Sequence, residues 1–304
     1  AGDDPLSRRA AEALVYDEEE DAFAFPLSGG RCPFLDGEDL CELHRAWGAE
    51  ATPLTCQTHP RFTEDYGPFA ERALSAACPA ANARLLGSRE PLGFRESETG
   101  EPGEEGDEWL PYLVPFRRRL FEALRDRSRP LRARLADFLT LCLLGDAVLA
   151  EAELEGTAPE DLLTLEGGTL EGELPEEGIF PAGFRLLASL EVLEPDWRDV
   201  LREAETAAPV PQDEALLERI ATYFAYRSVL KCVNDGDLLG RGLYTVFLTL
   251  AAERIAAVRG LGEALRRLSR EVEHDADNVE ALLTAFREDG AFDVGCFLWE
   301  LRNS

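Results

Sequence analysis

Four cysteines in the first third of the chain are candidate metal ligands. Cys32, Cys41, Cys56 and Cys78 have 8, 14 and 21 residues between them, and four thiolates satisfy a tetrahedral zinc ion or a [4Fe-4S] cluster. Zinc sites that are easily recognised have paired C-x2-C spacing, which is absent here. Proline follows Cys32 and Cys78, as it follows a ligand in one bacterial iron-sulfur motif. The alternative is four separate buried thiols, because a free cysteine behaves as a small hydrophobe.

The remaining cysteines and the first histidines have simpler interpretations. His59 lies three residues after Cys56 and could replace a thiolate as ligand, whereas His44 is expected on the surface of a helix. Apolar helical sequence surrounds the other cysteines, so we expect buried, reduced thiols at Cys142, Cys232 and Cys296.

A second group of residues that could do chemistry lies in the last third of the chain. Tyr223 and Arg227 occupy neighbouring positions of a predicted helix, and the sequence REVEH places Glu271, Glu273 and His274 within about one turn. Tyrosine, carboxylate and histidine groups can accept or deliver protons, so these five are candidate catalytic residues. The alternative is a buried polar network, in which Arg227 pairs with one of the glutamates and His274 forms a cap.

Hydrophobic periodicity predicts a mainly α fold, with a helical domain and a smaller cysteine-rich, loop-rich N-terminal module. We place the module at residues 1–95, an acidic linker at 96–115 and the helical domain at 116–304. The sequence ESETGEPGEEGDE at residues 96–108 contains no apolar residue, which is typical of a solvated linker.

Helical stripes recur through the predicted domain, and no segment shows sustained alternation of the kind that predicts a strand. Asp277 and Glu280 are spaced as a capping box for the last clear helix, which should end near Phe286. Residues 151–190 are interrupted by glycine and proline and should hold at most short helices. The predicted stripes are Phe116, Leu120, Phe121 and Leu124; Leu131, Leu135, Phe138 and Leu139; Leu216, Leu217, Ile220 and Phe224; and Leu243, Val246, Phe247 and Leu250.

Composition restricts the partners and the location. The 304 residues include 60 acidic and 31 basic side chains, a net charge of -29 that would repel a nucleic-acid backbone. No apolar run approaches the roughly 20 residues of a membrane span, and the acidic first residues do not resemble a signal peptide. We therefore expect no nucleic-acid partner, no membrane association and a cytoplasmic location. Seven dispersed cysteines also argue against a disulfide framework.

Three cysteine-containing segments resemble the flagellin lysine-N-methylase family, whose members carry similar segments in the same order. They are CPFLDGEDLC, TCQTHPRF and CPAANARLL. Two later segments extend the resemblance to the family's Tyr-x-x-Tyr-Arg segment with its Asp-Gly-Asp turn, and to its Ser-Arg-Glu-x-Glu-His segment. They are YFAYRSVLKCVNDGDLLGR at residues 223–241 and LSREVEHDADNVEAL at residues 268–282.

This resemblance implies a bacterial enzyme that transfers methyl groups from S-adenosylmethionine to lysine side chains of flagellin or another protein. It also implies an iron-sulfur cluster with Cys32, Cys41, Cys56 and Cys78 as ligands, and a zinc ion is the alternative that four thiolates leave open. Lysine methylation requires a neutral amine, for which the tyrosine, glutamate and histidine groups of the second cluster are suited. The residues that bind S-adenosylmethionine stay unknown, because no glycine-rich turn follows an apolar strand. A non-enzymatic metal-binding module that binds a partner protein is the alternative function.

Overall fold

The computed structural model describes residues 4–17, 22–29, 31–98, 100, 103–168, 175 and 178–303. The chain divides into two compact units, Ala1–Phe62 and Thr63–Ser304. Each unit has its own secondary structure and its own buried side chains.

The first unit contains short elements around a small core. Strands β1 and β2 pair antiparallel, with Tyr16 opposite Phe23 and their ring centroids 5.2 Å apart. Phe34 and Leu43 are its buried large hydrophobic residues among those described. The elements are α1 (Pro5–Ala13), β1 (Val15–Asp17), β2 (Ala22–Ala24), α2 (Glu42–Trp47) and α3 (Leu54–Thr58).

The second unit is predominantly helical. Strand β3 (Arg61–Asp65) spans the boundary between the units and pairs with β4 (Ala70–Leu74). The described helices that follow are α4 (Pro79–Leu86), α5 (Leu110–Arg125), α6 (Leu131–Glu155), α7 (Phe180–Ser189), α8 (Trp197–Thr206), α9 (Glu214–Ser228), α10 (Leu238–Arg259), α11 (Leu261–Leu268), α12 (Ala276–Glu288) and α13 (Val294–Asn303).

Helix α10 lies at the centre of this unit and packs against α6, α8, α9, α11, α12 and α13. Its side chains are buried around most of the helix circumference, which is typical of a central helix with no solvent-facing side. The Thr245 and Thr249 hydroxyls donate to backbone carbonyls one turn earlier, so these polar groups are satisfied inside the core. Asp237 accepts from the Gly240 N–H at 2.8 Å and caps the start of the helix.

The prediction of a mainly helical fold is confirmed, and the predicted stripes lie in α5, α6, α9 and α10. The sequence did not identify β1 to β4, because strands of three to five residues are too short to show sustained alternation. The capping prediction was wrong in detail. Helix α12 is capped by Asp275, whose carboxylate accepts from the N–H groups of Asp277 and Asn278.

The acidic segment after residue 95 has a specific contact in the second unit. The N–H of Glu104 donates to the carbonyl of Gly67 at 3.0 Å, in the turn between β3 and β4. A Cβ atom at Gly103 or Gly106 would lie 2.7 or 2.4 Å from atoms of Pro68, so this close approach requires glycine. Helix α5 begins at Leu110, inside the range predicted as a linker. Residues 99, 101 and 102 of that range lie outside the described residues.

None of the described helices is both long enough and apolar enough to cross a membrane.

Candidate functional site

Tyr223 lies at the centre of a buried polar cluster in the second unit. Its hydroxyl donates to Glu273 Oε2 at 2.9 Å and accepts from the N–H of Ala76 at 3.1 Å. Ala76 follows β4, whereas Tyr223 belongs to α9, so the hydroxyl joins elements that are far apart in sequence. Burial and the Glu273 charge raise the pKa of Tyr223, which keeps the phenol protonated and able to donate.

Arg227 lies one turn after Tyr223 on α9, and its Nε donates to Glu273 Oε1 at 3.3 Å. The two side chains are 8% and 3% exposed, so the pair is shielded from water. Burial lowers the pKa of Arg227 and the Glu273 charge raises it, with a net increase. We call Ala76, Tyr223, Arg227 and Glu273 the α9 cluster.

Tyr244 of α10 belongs to the same environment, although the sequence did not identify it. Its ring packs edge-on against Phe224, with centroids 6.4 Å apart. Burial and the charge of Glu273 raise the pKa of the Tyr244 phenol. The carboxylate of Glu273 therefore lies near the phenols of Tyr223 and Tyr244, and the guanidinium of Arg227 opposes its charge.

A π-helical turn at Ser269–Glu273 brings Glu273 to this position. Such turns have hydrogen bonds between residues five apart, so side chains are spaced differently from those on an α-helix. Sequence spacing predicts that Glu271 and His274 share a helical face, but in the structure they bond different segments. π-helical turns are frequent at functional sites, and the sequence gives no local signal for this one.

Glu271 binds the backbone of the segment between α7 and α8. Its carboxylate accepts from the N–H groups of Leu193 and Glu194 at 2.8 and 2.9 Å. Burial raises the pKa of Glu271, and the two N–H donors oppose this increase. Glu271 therefore holds the loop between α7 and α8, which agrees with the alternative of a buried polar network.

Side chains of α11 hold the same loop from outside. Glu263 accepts from Arg266 and Arg267 at 2.7 Å, and Arg266 also donates to Glu194 at 3.0 Å. Arg267 pairs with Asp196 at 2.7 Å. The arginines of α11 therefore form ion pairs with acidic side chains of the loop between α7 and α8.

Acid should weaken this network through Glu263. The hydrogen bond from Arg266 lowers the pKa of Glu263 to about 2 from its ordinary 4.5. Because the pKa is lower in the folded state, Glu263 contributes stability above pH 4.5, and this contribution is lost as the pH falls toward 2. Glu263→Gln should therefore reduce the slope of the unfolding free energy against pH within that window. Urea unfolding at a series of pH values measures it, and equal slopes for both proteins would refute the prediction.

His274 is exposed, in contrast to the buried members of the α9 cluster. Its Nε2 lies 2.6 Å from the hydroxyl of Ser75, a buried residue that follows β4. The Ser75 hydroxyl also accepts from the N–H of Ala77 at 3.1 Å and lies 3.4 Å from the Ser269 hydroxyl. Of the five predicted catalytic residues, His274 is therefore the one that a molecule in solution can reach.

The cysteines of the first unit lie in short, partly exposed elements. A β-bridge joins Leu35 to Cys41, and the carbonyl of Cys32 accepts from Leu35 N–H at 3.2 Å. Cys56 lies in α3 and is exposed. Partial burial raises the pKa of its thiol, and the charges of Cys32 and Cys41 add to the increase.

The fourth cysteine, Cys78, belongs to the second unit and precedes α4. In the parts of the chain that the structure describes, no three histidine, cysteine, aspartate or glutamate side chains are arranged to hold a metal ion. We derive no chemical step through a metal. His59 is exposed beside Cys56, and His44 is exposed as expected.

The expectation of core thiols is confirmed for Cys142, Cys232 and Cys296, which are buried and form no disulfide. Burial raises the pKa of the thiol in both Cys142 and Cys232, which makes them unreactive near neutral pH.

Comparison with known proteins confirms the resemblance to lysine-N-methylases over part of the chain. The chain is 34% identical to the lysine-N-methylase of Salmonella typhimurium over 71 residues, which are 23% of this chain and 18% of that protein. The lysine-N-methylase of Salmonella choleraesuis matches to the same extent. The flagellar biosynthetic protein FliU of Salmonella muenchen is 32% identical over 74 residues, 24% of this chain and 44% of that protein.

The matches thus span less than half of the length of each of these relatives. No protein-family model and no solved structure matches the chain.

Proposed function

We propose that the chain takes part in methylation of protein lysine side chains, with S-adenosylmethionine as the methyl donor and flagellin or another protein as the substrate. The partial match to lysine-N-methylases carries this proposal. Supporting it, both later segments of the resemblance contribute to one buried cluster: Tyr223 belongs to the segment 223–241 and Glu273 to the segment 268–282. Ala76, the third residue that bonds in this cluster, lies two residues before the Cys78 segment.

The exposed His274 is the group we assign to the substrate amine. A lysine ammonium must lose its proton before its nitrogen can attack a methyl group, and an imidazole can accept that proton near neutral pH. The Ser75 hydroxyl fixes the orientation of the ring at Nε2. Tyr223, Arg227, Glu271 and Glu273 are assigned to holding the surrounding segments, because their polar groups bond inside the protein.

The cofactors are also part of the proposal. S-adenosylmethionine supplies the methyl group, and its pocket is not assigned to residues. An iron-sulfur cluster or a zinc ion, with Cys32, Cys41, Cys56 and Cys78 as ligands, would have a structural or electron-storing role. The proposed location is the bacterial cytoplasm. The proposed organisation is a cysteine-rich N-terminal module joined to a helical domain.

Calorimetric titration of the full chain with S-adenosylmethionine tests the enzyme function. We expect saturable binding, and competition by the demethylated product S-adenosylhomocysteine, because both share the adenosyl and amino-acid groups. ATP is the control ligand, since it carries the adenosine without the amino-acid group. Absence of heat with S-adenosylmethionine, in protein whose helical circular dichroism is intact, would contradict the proposal.

The metal requires a separate experiment, because a metal-binding interaction module without methyl transfer is the second candidate. Anaerobic purification followed by metal and sulfide analysis distinguishes a cluster from zinc. Replacing Cys32 and Cys41 by serine should lower the metal content, whereas the same change at the buried Cys296 should not. A chain that contains metal but does not bind S-adenosylmethionine favours the interaction module. A chain that contains no metal rules out the metal site in both candidate functions.

A further inference from the structure

The turn that carries Cys78 is held by side chains from distant helices. β4 ends at Leu74, and the turn Ser75–Cys78 is closed by a hydrogen bond from the N–H of Cys78 to the carbonyl of Ser75 at 3.2 Å. Cys78 then begins α4 in an extended conformation, and its thiol makes no capping bond. The thiol is partly exposed. Its position thus depends on the residues just before it.

Both backbone polar groups of Ala76 form hydrogen bonds with side chains. Its N–H donates to the Tyr223 hydroxyl at 3.1 Å, and its carbonyl accepts from Asn82 Nδ2 at 3.1 Å. Asn82 also donates to the carbonyl of Gly262 at 3.0 Å, which ties the turn to α11. Ala76 and Asn82 are buried, so water cannot replace these partners without an opening of the turn.

Tyr223 is in turn fixed by Glu273 and Arg227. Since the phenol proton is donated to Glu273, a lone pair of the hydroxyl oxygen faces the N–H of Ala76. Arg227 balances the carboxylate charge. The order of contacts therefore runs from Arg227 through Glu273 and Tyr223 to the turn before Cys78.

We propose that Tyr223 and Asn82 are positioning residues for Cys78: they fix the Ser75–Cys78 turn, and through it the place of the thiol. This gives the α9 cluster a purpose that requires no contact with substrate. The proposal rests on the proposed function only in treating Cys78 as a metal ligand, since the rigidity of the turn can be measured without metal.

Amide hydrogen exchange in the full chain, resolved by residue, tests this role. Loss of one hydrogen bond costs about 1 kcal/mol, so Tyr223→Phe should speed exchange at Ala77 and Cys78 about fivefold, although neither amide touches Tyr223. Amides of α10 should be unchanged. Tyr244→Phe is the matched control, because it removes a phenol hydroxyl from the same buried region, and it should leave the turn unchanged.

A change confined to the Ala76 amide would overturn the proposal, since Tyr223 would then satisfy one donor without fixing the turn. Equal acceleration in Tyr244→Phe would overturn it as well. If Tyr223→Phe fails to fold, Asn82→Ala gives the same test from the other side of Ala76. Acceleration at Cys78 in a chain that binds neither metal nor S-adenosylmethionine would sustain the positioning role while the proposed function fails. If the chain binds metal but exchange in the turn is unchanged in Tyr223→Phe, the positioning role fails while the proposed metal site stands.

Discussion

Replacing Glu218 with glutamine is expected to lower the free energy of unfolding by about 3–5 kcal/mol, because the substitution removes the buried carboxylate that pairs with the Arg134 guanidinium. Glu218 lies on α9 and is fully buried. Its carboxylate accepts from Arg134 Nη1 at 2.7 Å and from Arg127 Nε at 2.8 Å. Arg134 is itself 3% exposed, so its charge cannot be screened by water.

Urea unfolding followed by circular dichroism measures the change. Glu214→Gln is the control, since Glu214 lies one turn earlier on the same helix and is 55% exposed at 3.5 Å from Arg134. An exposed pair contributes about 0–1 kcal/mol, so this variant should unfold close to the wild type. Equal losses in the two variants would mean that burial does not determine the effect.

The pair of Arg227 and Glu273 should behave as a coupled unit. Arg227→Leu and Glu273→Leu each remove one member of a buried ion pair, and each should destabilise the fold by about 3–5 kcal/mol. The double variant has no buried charge at this position. It should therefore lose less than the sum of the single variants, by about 1–3 kcal/mol.

A double-mutant cycle on unfolding free energies measures this coupling. The exposed pair of Asp199 and Arg202, with side chains 60% and 77% exposed, is the control, and its coupling should be near zero. Strict additivity for Arg227 and Glu273 would contradict the assignment of this pair to a structural role.

The helical part of the fold could be predicted because its signal is local. Residues of one face recur at helical spacing, as in α5, where Phe116 and Leu120 are both buried. The ends were less predictable, since Asp275 and Asp277 are both acceptable caps by residue type and only the backbone decides between them.

The candidate site was predictable in its residue types and not in its partners. The sequence places Tyr223 and Arg227 together and offers Glu271 or Glu273 as the partner of Arg227. The π-helical turn decides for Glu273. Ser75 and Ala76 could not have been found, because they meet His274 and Tyr223 across 199 and 147 residues of chain and have no distinctive local pattern.

The division of the cysteines was also beyond the sequence. Cys32, Cys41 and Cys56 share the first unit, whereas Cys78 lies in the second, and spacing alone does not reveal where one compact unit ends. The boundary falls within β3, a strand too short to have been recognised.

Methyl transfer itself is the reaction that decides the proposed function. The full chain is incubated with S-adenosylmethionine and unmethylated flagellin, and the flagellin peptides are then analysed by mass spectrometry. The proposed function predicts mass increases equal to whole methyl groups on lysine side chains, which disappear when S-adenosylhomocysteine is in excess and decline strongly in His274→Asn. Unchanged peptide masses, with a folded chain that binds S-adenosylmethionine and carries its metal, would contradict it.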